Sequence, residues 1–294
     1  MPSQPDQGEN GQSLPLPPVV AVVMEQPADP PADRASPGTR LFGLLDTGEL
    51  YSSLDHGARW SAHSMLPVYD AVGLAAGRHP GELLLANRGG LLHRSDDGGF
   101  EWQALSAVPA ADIVDLAILG DLSLVLLTAS GRIYRSVDLG VSFRTLLIDR
   151  SARFVRLART GGRILAFTHG PLMAESGNGG ATWDCRACDT LSGIVAACGL
   201  GGNVYAIAAD GTILHSADGG GAWTRRTVLA SIGWAALASD GEMLVAASHD
   251  GRIAISPDGS QWRWQGAIGK PRLVALATDR PAARGTEGDP SRPG

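Results

Sequence analysis

Apolar positions along the chain fall in short runs of about four to seven residues, none with helical spacing and none long enough to form a helix core. The stretch from residue 193 shows the order well: an apolar run at 193–198, a second at 204–208, the dipeptide Asp210-Gly211, a third run at 213–216, a Gly/Asp-rich turn, and one last short run. The runs are built from small and β-branched residues and bounded by Gly, Asp and Asn, which predicts strands joined by tight turns. An Asp-Gly pair between two such runs is a hairpin signal.

The whole order repeats. SSLDHGARW, with its second serine at Ser53, is followed by SDDGGFEW from Ser95, SVDLGVSF from Ser136, SGNGGATW from Ser176, SADGGGAW from Ser216 and SPDGSQW from Ser256, so the serines recur every 40–42 residues. That period holds four short strands and their turns, the unit of a propeller blade. The residue types suit a tight turn. Asp55, Asp97, Asp138, Asn178, Asp218 and Asp258 are placed to accept backbone N–H groups, the glycines allow positive φ, and a terminal aromatic packs into the sheet. Trp60, Trp102, Trp183, Trp223, Trp262 and Phe143 fill that aromatic position and are assigned to packing.

On these residues the chain resembles the Asp-box (bacterial neuraminidase repeat) β-propellers, most closely the photosystem II stability/assembly factor-like family, over roughly residues 40–279. The phrase that carries it is G-x-I/L-x-x-S-x-D-x-G-x-x-W, as in GRIYRS ending at Ser136 and GTILHS ending at Ser216. Asn178 replaces Asp in the fourth copy, and the sixth is one residue short before Trp262. The motif speaks for fold and little for activity, because glycosidases, receptors and assembly factors all use it.

The expected architecture is therefore all-β, a six-bladed propeller over residues 39–279, with flexible segments at 1–38 and 280–294 rich in Pro, Gly and polar residues. An inner-strand phrase recurs before each later box (AVGLAAG, VDLAILG, VRLARTGG, GIVAACG, GWAALASDG) and once more after the last, as RLVALATD from Arg272. That final copy is expected to supply the inner strand of the first blade and so close the ring. The alternative takes residues 19–24 as the first inner strand and gives seven blades.

Composition narrows function by exclusion. A net charge of −6 with no Lys/Arg run excludes a nucleic-acid surface of the usual kind. No apolar stretch reaches the roughly 18 residues of a membrane helix, and residues 19–24 are too short for a secretory signal core. The expectation is a soluble, cytoplasmic protein without direct membrane insertion, free to associate peripherally with a membrane complex. Cys185, Cys188 and Cys198 are too few for a disulfide framework. The CxxC at 185–188 lacks both a helix and a second ligand pair, so neither a redox centre nor a metal site is expected.

The family resemblance implies that ligands meet the face opposite the box turns, formed by the middle turns and the blade-to-blade crossovers. The middle turns offer Asp46, Arg88, His169, Asp210, His249 and Asp250. The crossovers offer Tyr69, Asp70, Asp112, Trp264 and Lys270, together with the arginines Arg150, Arg153, Arg186, Arg225, Arg226 and Arg272. Sialidase chemistry is not supported: Tyr51 and Tyr134 occupy a repeat position, and Glu82 and Glu242 fall in turns on the box side. Asp46, Asp210 and Asp250 offer carboxylates to a glycosidase, but Asp-Gly is the ordinary hairpin dipeptide. No catalytic residue, cofactor or metal is assigned. The six arginines, in one loop class of successive blades, point to a protein partner, such as a subunit of a larger or membrane complex, held by paired guanidinium donors. The alternative is a carbohydrate bound or cleaved in the central funnel.

Overall fold

The computed structural model describes residues 21–25 and 40–268, apart from 46, 67–69, 78–80, 111, 120–122, 231 and 240. Six four-stranded antiparallel sheets form a ring, each a simple up-and-down meander. Blade 1 is β1 (Ala21–Glu25), β2 (Arg40–Leu44), β3 (Glu49–Ser53) and β4 (Ser61–Met65). Blade 2 is β5 (Ala71–Ala76), β6 (Leu83–Asn87), β7 (Leu91–Ser95) and β8 (Gln103–Ala107). Blade 3 is β9 (Ile113–Ile118), β10 (Leu124–Thr128), β11 (Arg132–Ser136) and β12 (Arg144–Leu147). Blade 4 is β13 (Phe154–Thr160), β14 (Arg163–Thr168), β15 (Leu172–Ser176) and β16 (Asp184–Ala187). Blade 5 is β17 (Ile194–Leu200), β18 (Asn203–Ala208), β19 (Thr212–Ser216) and β20 (Thr224–Val228). Blade 6 is β21 (Trp234–Ser239), β22 (Leu244–Ser248), β23 (Arg252–Ser256) and β24 (Arg263–Ala267).

Radial position explains the hydrophobic pattern. The second strands are buried almost throughout, as in Leu124–Thr128, because each sheet is sandwiched between two neighbours and both strand faces are covered. The outermost strands are largely exposed and carry the polar residues. The innermost strands are rich in Ala and Gly because blades converge towards the axis. A Cβ on Gly73 would come within 2.6 Å of Leu116 in the next blade, so a larger residue there would force the two inner strands apart.

The ring closes with the inner strand of the alternative reading and the six blades of the leading one. The inner strand of blade 1 is β1, not the C-terminal run at 272–278, which lies outside the described residues. β1 pairs antiparallel with β2 from Ala21 opposite Leu44 to Glu25 opposite Arg40, so the edge of β2 that a C-terminal strand would use is already taken. It packs between β5 and β21, completing the circle of inner strands. The strand at 21–25 thus falls inside the 1–38 segment expected to be flexible, and it completes a sixth sheet rather than starting a seventh.

The six box turns share one hydrogen-bond scheme. In each, the serine Oγ accepts the glycine N–H at 2.7–2.9 Å and donates to the Asp or Asn carbonyl-type oxygen two residues on. That oxygen in turn accepts backbone N–H groups from the end of the turn, for example Arg59, Ser142 and Ala222. Each tryptophan donates its indole N–H back to the glycine carbonyl at 3.0–3.2 Å. Gly220 shows why glycine is required: its φ is +108°, and a Cβ would meet Leu165 at 2.7 Å. Where Asp138 accepts the Ser142 hydroxyl at 2.6 Å, Asn178 instead donates Nδ2–H to Thr182 Oγ1 at 2.8 Å, so the amide preserves the loop with the polarity of that bond reversed.

These turns also join the blades. A side chain from the third or fourth strand of one blade reaches a box carbonyl of the next: His63 Nε2 and Ser64 to Gly98 and Gly99, Ser106 to Gly140, Arg135 to Gly179, and Arg186 to Gly220. Gln265 donates to the Asp55 carbonyl at 3.2 Å, tying blade 6 back to blade 1. Among the described residues no helix is long and apolar enough to cross a membrane.

Candidate functional site at the axial mouth

A meander places its first and third turns on one side of the ring and its middle turn, with the crossover to the next blade, on the other. The box turns therefore occupy one face, and the middle turns and crossovers the opposite one, as the resemblance implied. On that opposite face the axis opens into a cavity of about 280 Å³.

The cavity wall is made by a repeated irregularity. Near its start each of β5, β9, β13, β17 and β21 carries a bulge, in which one extra residue interrupts pairing with the second strand. The extra residues are Val72, Val114, Val155, Val195 and Ala235, and all five line the cavity. A bulge turns one side chain out of the normal alternation, and repeated around a ring it builds an apolar collar. Trp234, 2% exposed, adds its ring beside Ala235 and donates its indole N–H to the Ala230 carbonyl at 2.9 Å.

Four basic side chains stand in or around this collar: Arg88, Arg156, His169 and His249. Three of them occupy the same place in their blades, the residue just after the second strand. Blades 2, 4 and 6 carry Arg88, His169 and His249 there, whereas blades 1, 3 and 5 carry Leu45, Ala129 and Ala209. The rim consequently alternates cationic or imidazole groups with apolar ones. Crossover backbone pins these turns: the Arg88 carbonyl accepts Ile113 N–H, and the His169 carbonyl accepts Gly193 N–H.

Arg156 is different, since it projects from an inner strand. Together with Asp115 it breaks a column of small residues, because the positions that follow the bulge in the other three bulged strands are Gly73, Ala196 and Ala236. Asp115 is fully buried between blades 3 and 4, and its carboxylate accepts the backbone N–H of Leu116 and, at 2.7 Å, of Leu157. Leu157 lies on the axial edge strand, whose outward N–H groups have no further strand to pair with. Burial pushes the Asp115 carboxyl up to about 7, against the opposing pull of Arg156 and of the two N–H groups. Burial also lowers the Arg156 guanidinium, which Asp115 partly restores. The guanidinium donates one Nη1–H to the Val155 carbonyl at 3.0 Å, and its buried Nε–H has no hydrogen-bond partner. The His249 imidazole is held below its usual range by burial and by Arg156.

Among the described residues no carboxylate lines the cavity. Asp210 accepts Thr212 N–H at 2.8 Å and faces Arg225 at 3.9 Å, while Asp250 accepts the Ser248 hydroxyl and pairs with Arg252 at 2.9 Å. Both are thus engaged within their own turns. Asp46 and Tyr69 lie outside the described residues.

The arginines singled out in the sequence do not gather in one loop class. Arg150 and Arg153 are exposed in the crossover between β12 and β13. Arg186 is on β16, paired with Glu175 at 3.3 Å and bonded to the Gly220 carbonyl. Arg225 and Arg226 are on β20; Arg225 donates to Thr212 Oγ1 at 3.0 Å, and Arg226 lies 3.1 Å from His215 Nδ1. Arg225 borders a groove of about 480 Å³ between the Asp189–Gly193 crossover and the middle turn of blade 5, on the same face as the mouth. Arg272 and Lys270 lie outside the described residues.

The remaining candidates are structural. Tyr51 and Tyr134 are buried, the latter donating to the Pro109 carbonyl at 3.1 Å. Glu82 pairs with Arg94 at 3.1 Å on the box side. Cys185 is exposed, Cys188 half-buried and Cys198 buried. Among the described residues no group of three or more His, Cys, Asp or Glu side chains is placed to hold a metal ion. Trp264, 55% exposed, stacks on Trp234 at 6.0 Å and 10°.

No protein-family model and no curated protein matches the chain. Solved structures do. The chain is similar to YCF48 bound to D1 peptide, with 20% identity and a TM-score of 0.56 over 85% of this chain and 82% of that one. It is similar to YCF48 from Cyanidioschyzon merolae at 17% identity and a TM-score of 0.55, over 85% and 86%. A chain of a nidogen/laminin complex aligns at 14% identity with a TM-score of 0.65, over 81% of this chain and 97% of that one. At these identities the likeness is one of fold, and the chain shares its propeller architecture with all three.

Proposed function

We propose that the chain is a non-catalytic binding protein, an assembly or accessory factor of the photosystem II assembly factor-like, Asp-box kind, which holds a partner protein on the face opposite its box turns. The observation that carries this reading is the lining of the axial mouth. It combines an apolar collar with basic side chains, and its described residues include no carboxylate, so it suits a peptide segment bearing acidic groups better than the paired carboxylates of glycoside hydrolysis. Arg150, Arg153 and Arg225 extend the basic character of that face outwards. Arg186 and Arg226 contribute less, since neither lines the mouth or the groove beside Arg225. The similarity to YCF48, seen bound to a D1 peptide, supports the protein-binding class of function.

The test is affinity capture from native extract followed by binding of the recovered partner. Replacing Arg150, Arg153 and Arg225 together by Ala is expected to weaken binding at least tenfold, and added salt to weaken the wild type in the same direction. A partner indifferent to both would sink this reading. A carbohydrate ligand is the second reading, favoured by the exposed ring of Trp264 beside Trp234. Oligosaccharide binding that is lost in Trp264→Ala would put it first.

A further inference from the structure

The basic groups of the mouth differ in what they lack. Arg88 and His169 are exposed and His249 stands at the rim with its imidazole partly enclosed, but Arg156 is held in the collar with its Nε–H buried and unpaired. The nearest opposite charge does not satisfy it. Each oxygen of Asp115 accepts one backbone N–H, from Leu116 and Leu157, and Asp115 acts on Arg156 through its charge rather than through a hydrogen bond. A guanidinium has five N–H donors in a planar fork that matches the two oxygens of a carboxylate. The Nε–H is enclosed by protein, so a ligand in the cavity that Arg156 lines meets the Nη end of the fork, where the Val155 carbonyl engages Nη1.

The surroundings restrict that ligand. Collar residues Val72, Val114, Val155, Val195 and Ala235 donate no side-chain hydrogen bonds, so a strongly hydrated dianion such as phosphate would lose water there with few donors in return. A singly charged group carried on an apolar chain loses less and gains the burial of its tail. The cavity, about 280 Å³, lies at the small end of ligand pockets and takes a few carbon atoms with a head group rather than a folded element.

We propose that the axial mouth is a carboxylate site, in which Arg156 and Arg88 hold a carboxylate whose short apolar chain lies against the valine collar. The inference deepens the binding function proposed above, because it names what the partner inserts: a chain end with a free carboxylate behind apolar residues. A free short-chain carboxylic acid offers the same chemistry.

Titration calorimetry on the full chain separates these cases with four probes: valerate, a hexapeptide ending in Leu-Val with a free carboxylate, the same peptide amidated, and inorganic phosphate. The free-acid peptide is expected to bind at least tenfold more tightly than the amide, and phosphate to fail to compete. Arg88→Gln, at an exposed position that does not threaten folding, should weaken binding severalfold. Arg156→Gln is best made together with Asp115→Asn, so that no uncompensated carboxylate remains buried, and this pair should lower affinity at least tenfold. Valerate binding as tightly as the peptide would uphold the site and assign it to a small acid. Equal binding of acid and amide peptides, effective competition by phosphate, or full affinity in both arginine variants would overturn the inference. If every carboxylate fails while partner capture through Arg150, Arg153 and Arg225 persists, the carboxylate site falls and the scaffold function stands.

Discussion

The two faces of this propeller are built from the same strands and treat their turns in opposite ways. On the box face, six turns keep one hydrogen-bond scheme between serine, glycine and Asp or Asn, even where Asn178 substitutes for aspartate. On the mouth face, the corresponding six positions after the second strands read Leu45, Arg88, Ala129, His169, Ala209 and His249. A turn whose product is geometry has few solutions, since it must satisfy particular N–H groups and a positive φ. A turn that only has to reverse the chain leaves its side chains open to other uses. In a repeat protein, repetition therefore marks what holds the molecule up, and departure from the repeat marks where something else is being done.

Carboxylates sharpen this contrast. The exposed Asp138 is drawn down to about 2 by hydrogen bonds from the Ser142 and Ser136 hydroxyls and from Ser142 N–H. Asp115 is pushed up to about 7 by burial. The consequences for stability have opposite signs. A carboxyl whose folded pKa is raised contributes stability fully present below its unfolded value near 3.8 and lost as pH rises through 7. A shift of that size corresponds to about 4 kcal/mol. Denaturant unfolding should therefore show Asp115→Asn gaining on the wild type by up to about this amount between pH 4 and pH 8, because the amide keeps an acceptor for Leu157 N–H without the charge. A difference independent of pH would mean that Asp115 is not destabilised by ionising in the folded state.

The second break is at the box. Ser136 is 1% exposed and serves Gly140 N–H at 2.7 Å and Asp138 at 2.7 Å. Ser136→Ala leaves a buried N–H without its acceptor and should cost about 2 kcal/mol, lowering the thermal midpoint by roughly 4–8 °C in a domain of this size. An equal truncation at the mouth, Arg88→Ala, should move it by less than about 1 °C, since an exposed side chain away from such a network contributes little. Equal losses at the two sites would erase the distinction between the faces.

How much of this was legible follows the same division. The box turns were readable because their chemistry demands particular residues at fixed offsets, and six copies gave both the blade unit and the six-sheet ring. Closure was readable only as two alternatives. The runs at 19–24 and 272–278 are both short and apolar, and which one pairs with β2 is settled by long-range assembly rather than local pattern. Arg186, Arg225 and Arg226 fall on strands rather than in the expected crossovers because the fourth strand begins almost directly after the box tryptophan, leaving no loop for them. The bulges carry no composition of their own. Arg156 and Asp115, the strongest polar features of the axis, did leave a trace: VDL at 114–116 and VRL at 155–157 put opposite charges where the other aligned inner strands carry Gly or Ala. A column-by-column reading of the repeat for exceptions would have found them.

A smaller effect tests the box carboxylates at acid pH. Asp218 is lowered by the Ser216 hydroxyl and the Ala222 N–H, and Asp258 by the Ser260 hydroxyl and N–H. A depressed folded pKa contributes stability present above the unfolded value and lost as pH falls through the folded one. The wild type should thus lose stability below about pH 4, with most of the loss nearer pH 2. Asp138→Asn should be less stable than the wild type at pH 6 and should close part of that gap by pH 2. A gap constant across that range would assign the aspartate a role independent of its charge.

The smallest change is expected at the outer rim of the mouth face. Arg150 and Arg153 are exposed in a crossover, where a guanidinium keeps its water and its Coulomb energy is screened. Their joint replacement by Ala should shift stability by under about 0.5 kcal/mol and leave the circular dichroism spectrum unchanged. Removing two positive charges should nevertheless slow association with an acidic partner, because charges at an interface edge act mainly through steering, and the slowing should shrink as salt rises. Stopped-flow association at two ionic strengths measures this directly. A loss of stability comparable to that of Ser136→Ala would mean that these arginines belong to the framework after all, and that the mouth face is held together as tightly as the box face.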